Sequence, residues 1–366
     1  VGPKVTVRGA EEVYKASATR RTGNNLNSAE ARGLERCAPQ ARNLTRRSAA
    51  SCLILQYHRV ALLCQDPLQL AVEPYKLEEQ MQYLAESCHV IPLSVLKQHL
   101  DTATPFADRT VAVTFDGGYA DVLYTAADVL NRYQVPATVF AASAGLLQPS
   151  QFWWHTLQEL LISGDSCRPL ELEINGNRYT WPLHTCCQRF RAYEQLYSNF
   201  CDRTPAEQQG LLEQIASQLE CLPAERDSHR LLDADELRRL QRLDLITLGG
   251  HTHDGVKLAS LDRCRQTEQI SQNKTILEEL LGQPVEYFSY PFGSDGDCTS
   301  QTAGILQELG FSLGCGNGYG LVAATGEVNC YDLPRVKVGN WGAFTLHRLL
   351  ERFFGEPEDG LATVPQ

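Results

Sequence analysis

From residue 51 onward, short β-rich runs alternate with helical patterns, and this rhythm limits the fold more than any other feature of the chain. Runs suited to strands lie at 52–57, 90–93, 110–115, 137–140, 246–248, 285–290, 312–314 and 335–338. Helical periodicity fills the gaps, at about 76–86, where Leu77, Met81 and Leu84 share one face, and at 94–100, 120–133, 234–241, 263–281, 302–309 and 344–354. Strand followed by helix, repeated, is the pattern of a parallel sheet covered by helices. Its connections are right-handed, and continued around an axis they close into a barrel. The sequence therefore predicts an α/β fold, a (β/α) barrel or a relative of one.

Residues 150–235 break the rhythm. They hold an aromatic cluster, Phe152-Trp153-Trp154, then a hairpin pattern over 170–181 turning on Asn175-Gly176, then polar helical sequence rich in Gln and Glu. This reads as an insertion, mainly helical, into the barrel. The first fifty residues are different again, with ten basic against four acidic residues and Tyr14 as the one aromatic, so they read as a flexible basic tail; residues 355–366 read as a C-terminal tail. The formal charge of the whole chain is −11, which argues against a nucleic-acid binder and favours a neutral or polar substrate. No stretch is long and apolar enough to predict a transmembrane segment, and no apolar leader of the secretory type precedes residue 51. Thirteen cysteines without zinc-finger spacing read as mostly free thiols, so a cytoplasmic location is expected over secretion.

Three clusters capable of chemistry each follow a strand-like run, the edge on which α/β folds build their sites. Asp116 in Thr114-Phe115-Asp116-Gly117-Gly118-Tyr119 is a carboxylate delivered into a glycine turn, or else a cap on the next helix. In Gly250-His251-Thr252-His253-Asp254-Gly255, two imidazoles and a carboxylate are the donors that divalent metals take. Tyr290-Pro291-Phe292-Gly293 is either an ordinary turn or a loop that aims backbone N–H groups at a ligand.

In this order, together with Leu55-Gln56-Tyr57-His58-Arg59-Val60, the helix holding Tyr75 and Glu79-Gln80-Met81, Val135-Pro136-Ala137-Thr138 and Leu333-Pro334-Arg335-Val336, the clusters resemble the polysaccharide deacetylase family, the NodB homology fold of carbohydrate esterases. The resemblance spans roughly residues 51–354 and is nearest to a bacterial subgroup whose insertion begins with an F-W-W motif, matched by Phe152-Trp153-Trp154. It implies a deformed (β/α) barrel and hydrolysis of the amide C–N bond of N-acetylated poly- or oligosaccharides. It also implies a divalent metal, zinc or similar, that polarises the carbonyl and activates water. By the same resemblance Asp116 stands at the general base and His251 at a metal ligand. Phe292 stands where a backbone N–H meets the oxyanion. Tyr119, His58, Tyr290, Arg335 and Trp341 stand at substrate-binding positions. The general acid has no clear counterpart: His347 falls inside a helix, and His58 lies nearer the expected barrel mouth.

The departures bear directly on function. T-F-D-D-G-Y reads T-F-D-G-G-Y, which puts Gly117 at one ligand position, and H-T-x-x-H ends in Gly255 instead of a second ligand histidine. Glycine has no side-chain donor, and ligand number and charge set cation affinity. His253 and Asp254 flank the second vacancy and are the candidate substitutes. Two functional classes follow: an impaired deacetylase, or a catalytically inactive carbohydrate-binding or regulatory relative. Trp153, Trp154, Trp181 and Trp341 are candidates for stacking on sugars, or for core anchors.

Overall fold

In the computed structural model the described residues are 50–147, 150–164, 166–221, 227–293, 296–326 and 328–355; the two expected tails lie outside them, apart from Ala50 and Gly355. The strands are β1 (Ser51–Tyr57), β2 (Arg59–Val60), β3 (Ala71–Val72), β4 (His89–Val90), β5 (Thr110–Gly117), β6 (Ala137–Ala141), β7 (Leu170–Ile174), β8 (Asn177–Trp181), β9 (Ile246–Gly250), β10 (Tyr287–Ser289), β11 (Leu313–Cys315), β12 (Val322–Ala323) and β13 (Val336–Lys337). The main sheet runs β11-β10-β9-β6-β5-β1-β12, with β4 beside β5 and β13 beside β1. Every pairing in it is parallel except that of β1 with β12.

Every residue of β1, β5 and β6 is buried, because helices cover one face and the barrel interior covers the other. Apolar runs without alternation are what such strands require. Helix Pro74–Ser87 buries Leu77, Met81 and Leu84 as its periodicity predicts, and Ala234–Gln241 and Arg263–Leu281 begin on Asp233 and Asp262, whose side chains accept backbone N–H bonds. The expected helix over 120–133 is instead a π-turn at Val122–Ala126 running into Ala127–Tyr133.

The sheet curls because its ends are bridged. After β11 the chain returns so that Leu333 N–H donates to Gly314 O at 2.8 Å and Gly316 N–H to Leu333 O at 2.9 Å; β13 then pairs with β1. Residues 333–338 thus join the β11 edge to the β1 edge, giving the deformed barrel of the NodB deacetylase type. The stretch 150–221 is mainly helical, with Cys186–Cys201 and Pro205–Leu219 packed on the β7–β8 hairpin. Its core includes Trp153, Leu172, Trp181, Leu196 and Ile215, and it continues to Tyr119 of the barrel. Among the described residues no helix is long and apolar enough to cross a membrane.

Candidate functional site

The carboxyl ends of β1, β5, β9 and β10 deliver His58, Asp116, His251 and Ser289 to one end of the barrel. There a cleft of about 220 Å³ is lined by Gln56, His58, Asp116, Gly117, His251 and Asn317 among its polar residues and backbone, and by Tyr119, Phe152, Trp154, Tyr197 and Phe292 among its aromatics. Phe152, Trp154 and Tyr197 come from the helical insertion, so that segment builds one wall of the cleft.

Asp116 is 1 % exposed, and both its oxygens are held. Arg335 donates from two guanidinium nitrogens, one to each oxygen, both at 2.7 Å, and Gln56 Nε2 and Ser289 Oγ each donate to Oδ2 at 2.8 Å. Burial pushes this carboxyl up, but the charge and hydrogen bonds of Arg335 outweigh it and hold Asp116 far below the usual carboxylate range. At neutral pH it is an ionised and weak proton acceptor. Oδ2 carries three bonds and Oδ1 one, so Oδ1 keeps the capacity to accept another.

His251 lies beside it. Its backbone N–H donates to Asn273 Oδ1 at 3.1 Å, and its Nδ1 is 2.9 Å from Ser289 O. A carbonyl only accepts, so Nδ1 carries the proton and the lone pair of the neutral ring is on Nε2. Burial holds the imidazole below its usual value, with Asp116 opposing. Ser289 therefore touches both groups, its hydroxyl on the carboxylate and its carbonyl on the imidazole. His58 is pushed down to about 3 by burial and the nearby charge of Lys337, and is neutral.

Of the residues singled out in the sequence, Asp116, Gly117, Tyr119, His58, His251 and Phe292 line this cleft. Phe292 adopts φ 65° and its carbonyl accepts from Asn317 Nδ2 at 2.6 Å, which fixes the loop. The other expectations for substrate contact are corrected. Arg335 is fully buried behind Asp116, with its remaining donors on Gly316 O, Thr114, Ser289 and Asn317. Tyr290 is buried with its hydroxyl on Tyr331 O at 2.6 Å, and Trp341 packs on Gly339 while its carbonyl accepts from Gln80, so neither lines the cleft. His347 sits on helix Ala343–Phe354 against Tyr83, away from the cleft. Trp153 and Trp181 are buried in the insertion core, as anchors.

The expected metal fails a structural test. Gly117 has φ +96° and Gly255 φ +68°, in the left-handed region. A Cβ at Gly117 would stand 2.8 Å from Tyr119 and 3.3 Å from one edge of the Phe152 ring, and a Cβ at Gly255 would clash with the other edge of that ring. Tyr119 and Phe152 thus crowd position 117, and Phe152 blocks position 255. Nor do the flanking residues substitute: His253 Nδ1 bonds Ser143 Oγ at 2.9 Å and Asp254 Oδ2 accepts from Gln269 at 2.8 Å, and neither lines the cleft. Among the described residues no group of three or more His, Cys, Asp or Glu side chains is gathered as a cation requires. The residues present do not fit a divalent cation of the expected kind.

Sequence reasoning missed Gln56, Ser289, Asn273, Asn317 and the placement of Phe152. Gln56 alone carried a signal, as a polar residue in an otherwise apolar strand.

The sequence profile of a family described as polysaccharide deacetylase matches residues 103–165 and 211–314. Over these residues the chain is similar to polysaccharide deacetylases. Among solved structures it is similar to the Streptococcus pyogenes deacetylase PplD in complex with acetate, at 16 % identity and TM-score 0.54, over 85 % of this chain and 100 % of that one. IcaB from Ammonifex degensii is similar at 17 % identity and TM-score 0.51, over 85 % and 100 %. The polysaccharide deacetylase BC0361 from Bacillus cereus is similar at 14 % identity and TM-score 0.51, over 82 % and 69 %. At these identities the likeness is one of fold. No curated protein matches the sequence significantly.

Proposed function

We propose that this polysaccharide deacetylase relative uses its cleft to hold an N-acetylated oligo- or polysaccharide without metal-dependent hydrolysis. The observation that carries the reading is the Phe152 ring lying against Gly117 and Gly255, the two positions at which family members supply ligands. What remains suits recognition of a polar, uncharged ligand. Asp116 Oδ1 and His251 Nε2 are acceptors for sugar hydroxyl or acetamido N–H groups, and the Phe292 backbone N–H is the donor assigned to the acetyl carbonyl. Trp154, Tyr197 and Phe292 offer ring faces and edges on which a pyranose packs. A fixed wall of this kind loses little entropy on binding.

A second reading, hydrolysis of the amide C–N bond with Asp116 as base, is favoured by one observation: Asp116 and His251 meet at the same cleft through Ser289. Titration calorimetry with N-acetylated chitooligosaccharides, with and without EDTA, and an enzymatic assay for released acetate in the presence of zinc or cobalt, separate the two. Saturable binding unaffected by EDTA, with acetate at the level of a no-protein control, is expected. Metal-stimulated acetate release abolished by EDTA would overturn the first reading in favour of the second. Absence of binding together with absence of turnover would remove N-acetylated sugars as the ligand.

A further inference from the structure

Phe152 packs against both glycines, and this fit says more than the absence of two ligand side chains. Phe152 is 5 % exposed, stacked on Trp154 at 4.2 Å between ring centroids and edge-on to Tyr119 at 5.5 Å. Its carbonyl accepts from His155 N–H at 2.9 Å, the first bond of helix Trp153–Gln158, so its backbone is fixed as well. One ring edge meets the space above Gly117 and the other the space above Gly255.

We propose that Gly117, Gly255 and Phe152 form one interlocked unit in which the aromatic ring occupies space that side chains at both glycine positions would need, so that introducing the two ligands alone leaves the protein unable to bind a divalent metal until the ring is removed. Steric exclusion is the first reason: a side chain at 255 clashes with the ring edge from its first atom, and one at 117 collides with Tyr119 and crowds the ring. Chemistry is the second. A divalent ion exchanges its hydration shell only for oxygen, nitrogen or sulfur donors, and a phenyl ring supplies none. Packing is the third, since the Phe152 ring is held by two further aromatic rings and does not swing aside without breaking the Trp154 stack. The proposal rests on the metal-free reading of the cleft. Its readout is cation occupancy, so its failure is distinguishable from failure of glycan binding.

The full chain is titrated with Co²⁺, followed by visible absorption, and with Zn²⁺, followed by calorimetry. Four forms are compared: the chain as it stands, Gly117→Asp/Gly255→His, the same pair with Phe152→Ala, and that triple variant with His251→Ala. The expected result is binding by the triple variant at least tenfold tighter than by the double variant, lost with His251→Ala, and none by the unaltered chain. Binding by the unaltered chain or by the double variant as tight as by the triple variant would overturn the proposal, as would a folded triple variant that takes up no cobalt. If the ligand variants do not fold, a thermal-melting cycle of Gly255→Ala with Phe152→Ala decides. A Tm loss from Gly255→Ala at least halved in the Phe152→Ala background supports the interlock. Equal losses in both backgrounds refute it.

Discussion

Removing Arg335 tests the electrostatic account of the site, because this side chain has no exposure and makes six polar contacts. Arg335→Met keeps much of the aliphatic volume and leaves the Asp116 carboxylate buried with Gln56 and Ser289 as its remaining donors. Breaking a buried pair by deleting one partner costs about 3–5 kcal/mol, and we expect a loss in that range. Asp116→Asn leaves the guanidinium without its counter-charge and is expected to cost a similar amount. The double variant removes both charges and should cost less than the sum by at least about 2 kcal/mol. Urea unfolding, followed by both tryptophan fluorescence and far-UV circular dichroism with coincident transitions, measures all three. The pH dependence adds a sign. In the unaltered chain the folded pKa of Asp116 is depressed, so its contribution is present above the ordinary carboxyl value of 3.8 and is lost as pH falls toward the folded value. In Arg335→Met burial acts without the cation, the folded pKa rises above the unfolded one, and the variant should regain stability relative to the parent as pH falls from 7 to 4. An Arg335→Met loss under about 1 kcal/mol, or single losses that add to within about 0.5 kcal/mol, would refute the reasoning.

Three further outcomes are expected. Glu236, whose carboxylate accepts from Arg230 at 2.6 and 2.7 Å and caps helix Ala234–Gln241, has its pKa pushed up by burial but pulled down further by these bonds, to about 2. Because Arg230 is partly exposed, Glu236→Gln should cost only about 1 kcal/mol at pH 7, and the gap should close as pH falls from 4.5 toward 2; a gap that widens in acid contradicts the assignment. Asn273→Ala strands His251 N–H and Ala141 O inside the barrel and should cost about 1–3 kcal/mol by urea unfolding, with an unchanged midpoint as the contrary result. Glycan affinity by calorimetry should show no contribution from His58 between pH 5 and 8, since burial pushes that imidazole down to about 3, and any transition from His251 should fall below the usual 6.5; a transition at or above 6.5 would contradict both directions.

Much of the architecture was readable because it rests on local periodicity. Helices 234–241 and 263–281 lie where their periodicity places them, and the Asn175-Gly176 turn joins β7 to β8 with both residues at positive φ. The two-residue pairing of β2 with β3 was not readable, since Arg59 and Val60 form a strand only through partners at 71 and 72. At the site, Asp116, His251 and Phe292 could be placed from their position after strand-like runs. The role of Arg335 could not, because its partner is 219 residues away in sequence and only closure of the sheet brings the two together. Without that closure an arginine near the barrel mouth reads as a ligand contact. With it, the guanidinium is the buried counter-charge of a carboxylate.

The same dependence on long-range packing explains why reading Gly117 and Gly255 as vacancies was incomplete. A protein interior does not keep a hole of side-chain size, because unfilled volume costs about 24 cal/mol per Å³ and forfeits the contacts of its lining. When two side chains are deleted from facing turns, a neighbour moves in or water does, and water needs polar partners to stay. Tyr119, Phe152 and Trp154 form an aromatic group at this point, and the Phe152 ring, packed against both glycines, gives the cleft an apolar wall. The crowding at both glycines and the apolar wall of the cleft are therefore set by the same ring. Phe152, supplied by the insertion, thus shapes the cleft at the barrel mouth alongside the strand-end residues.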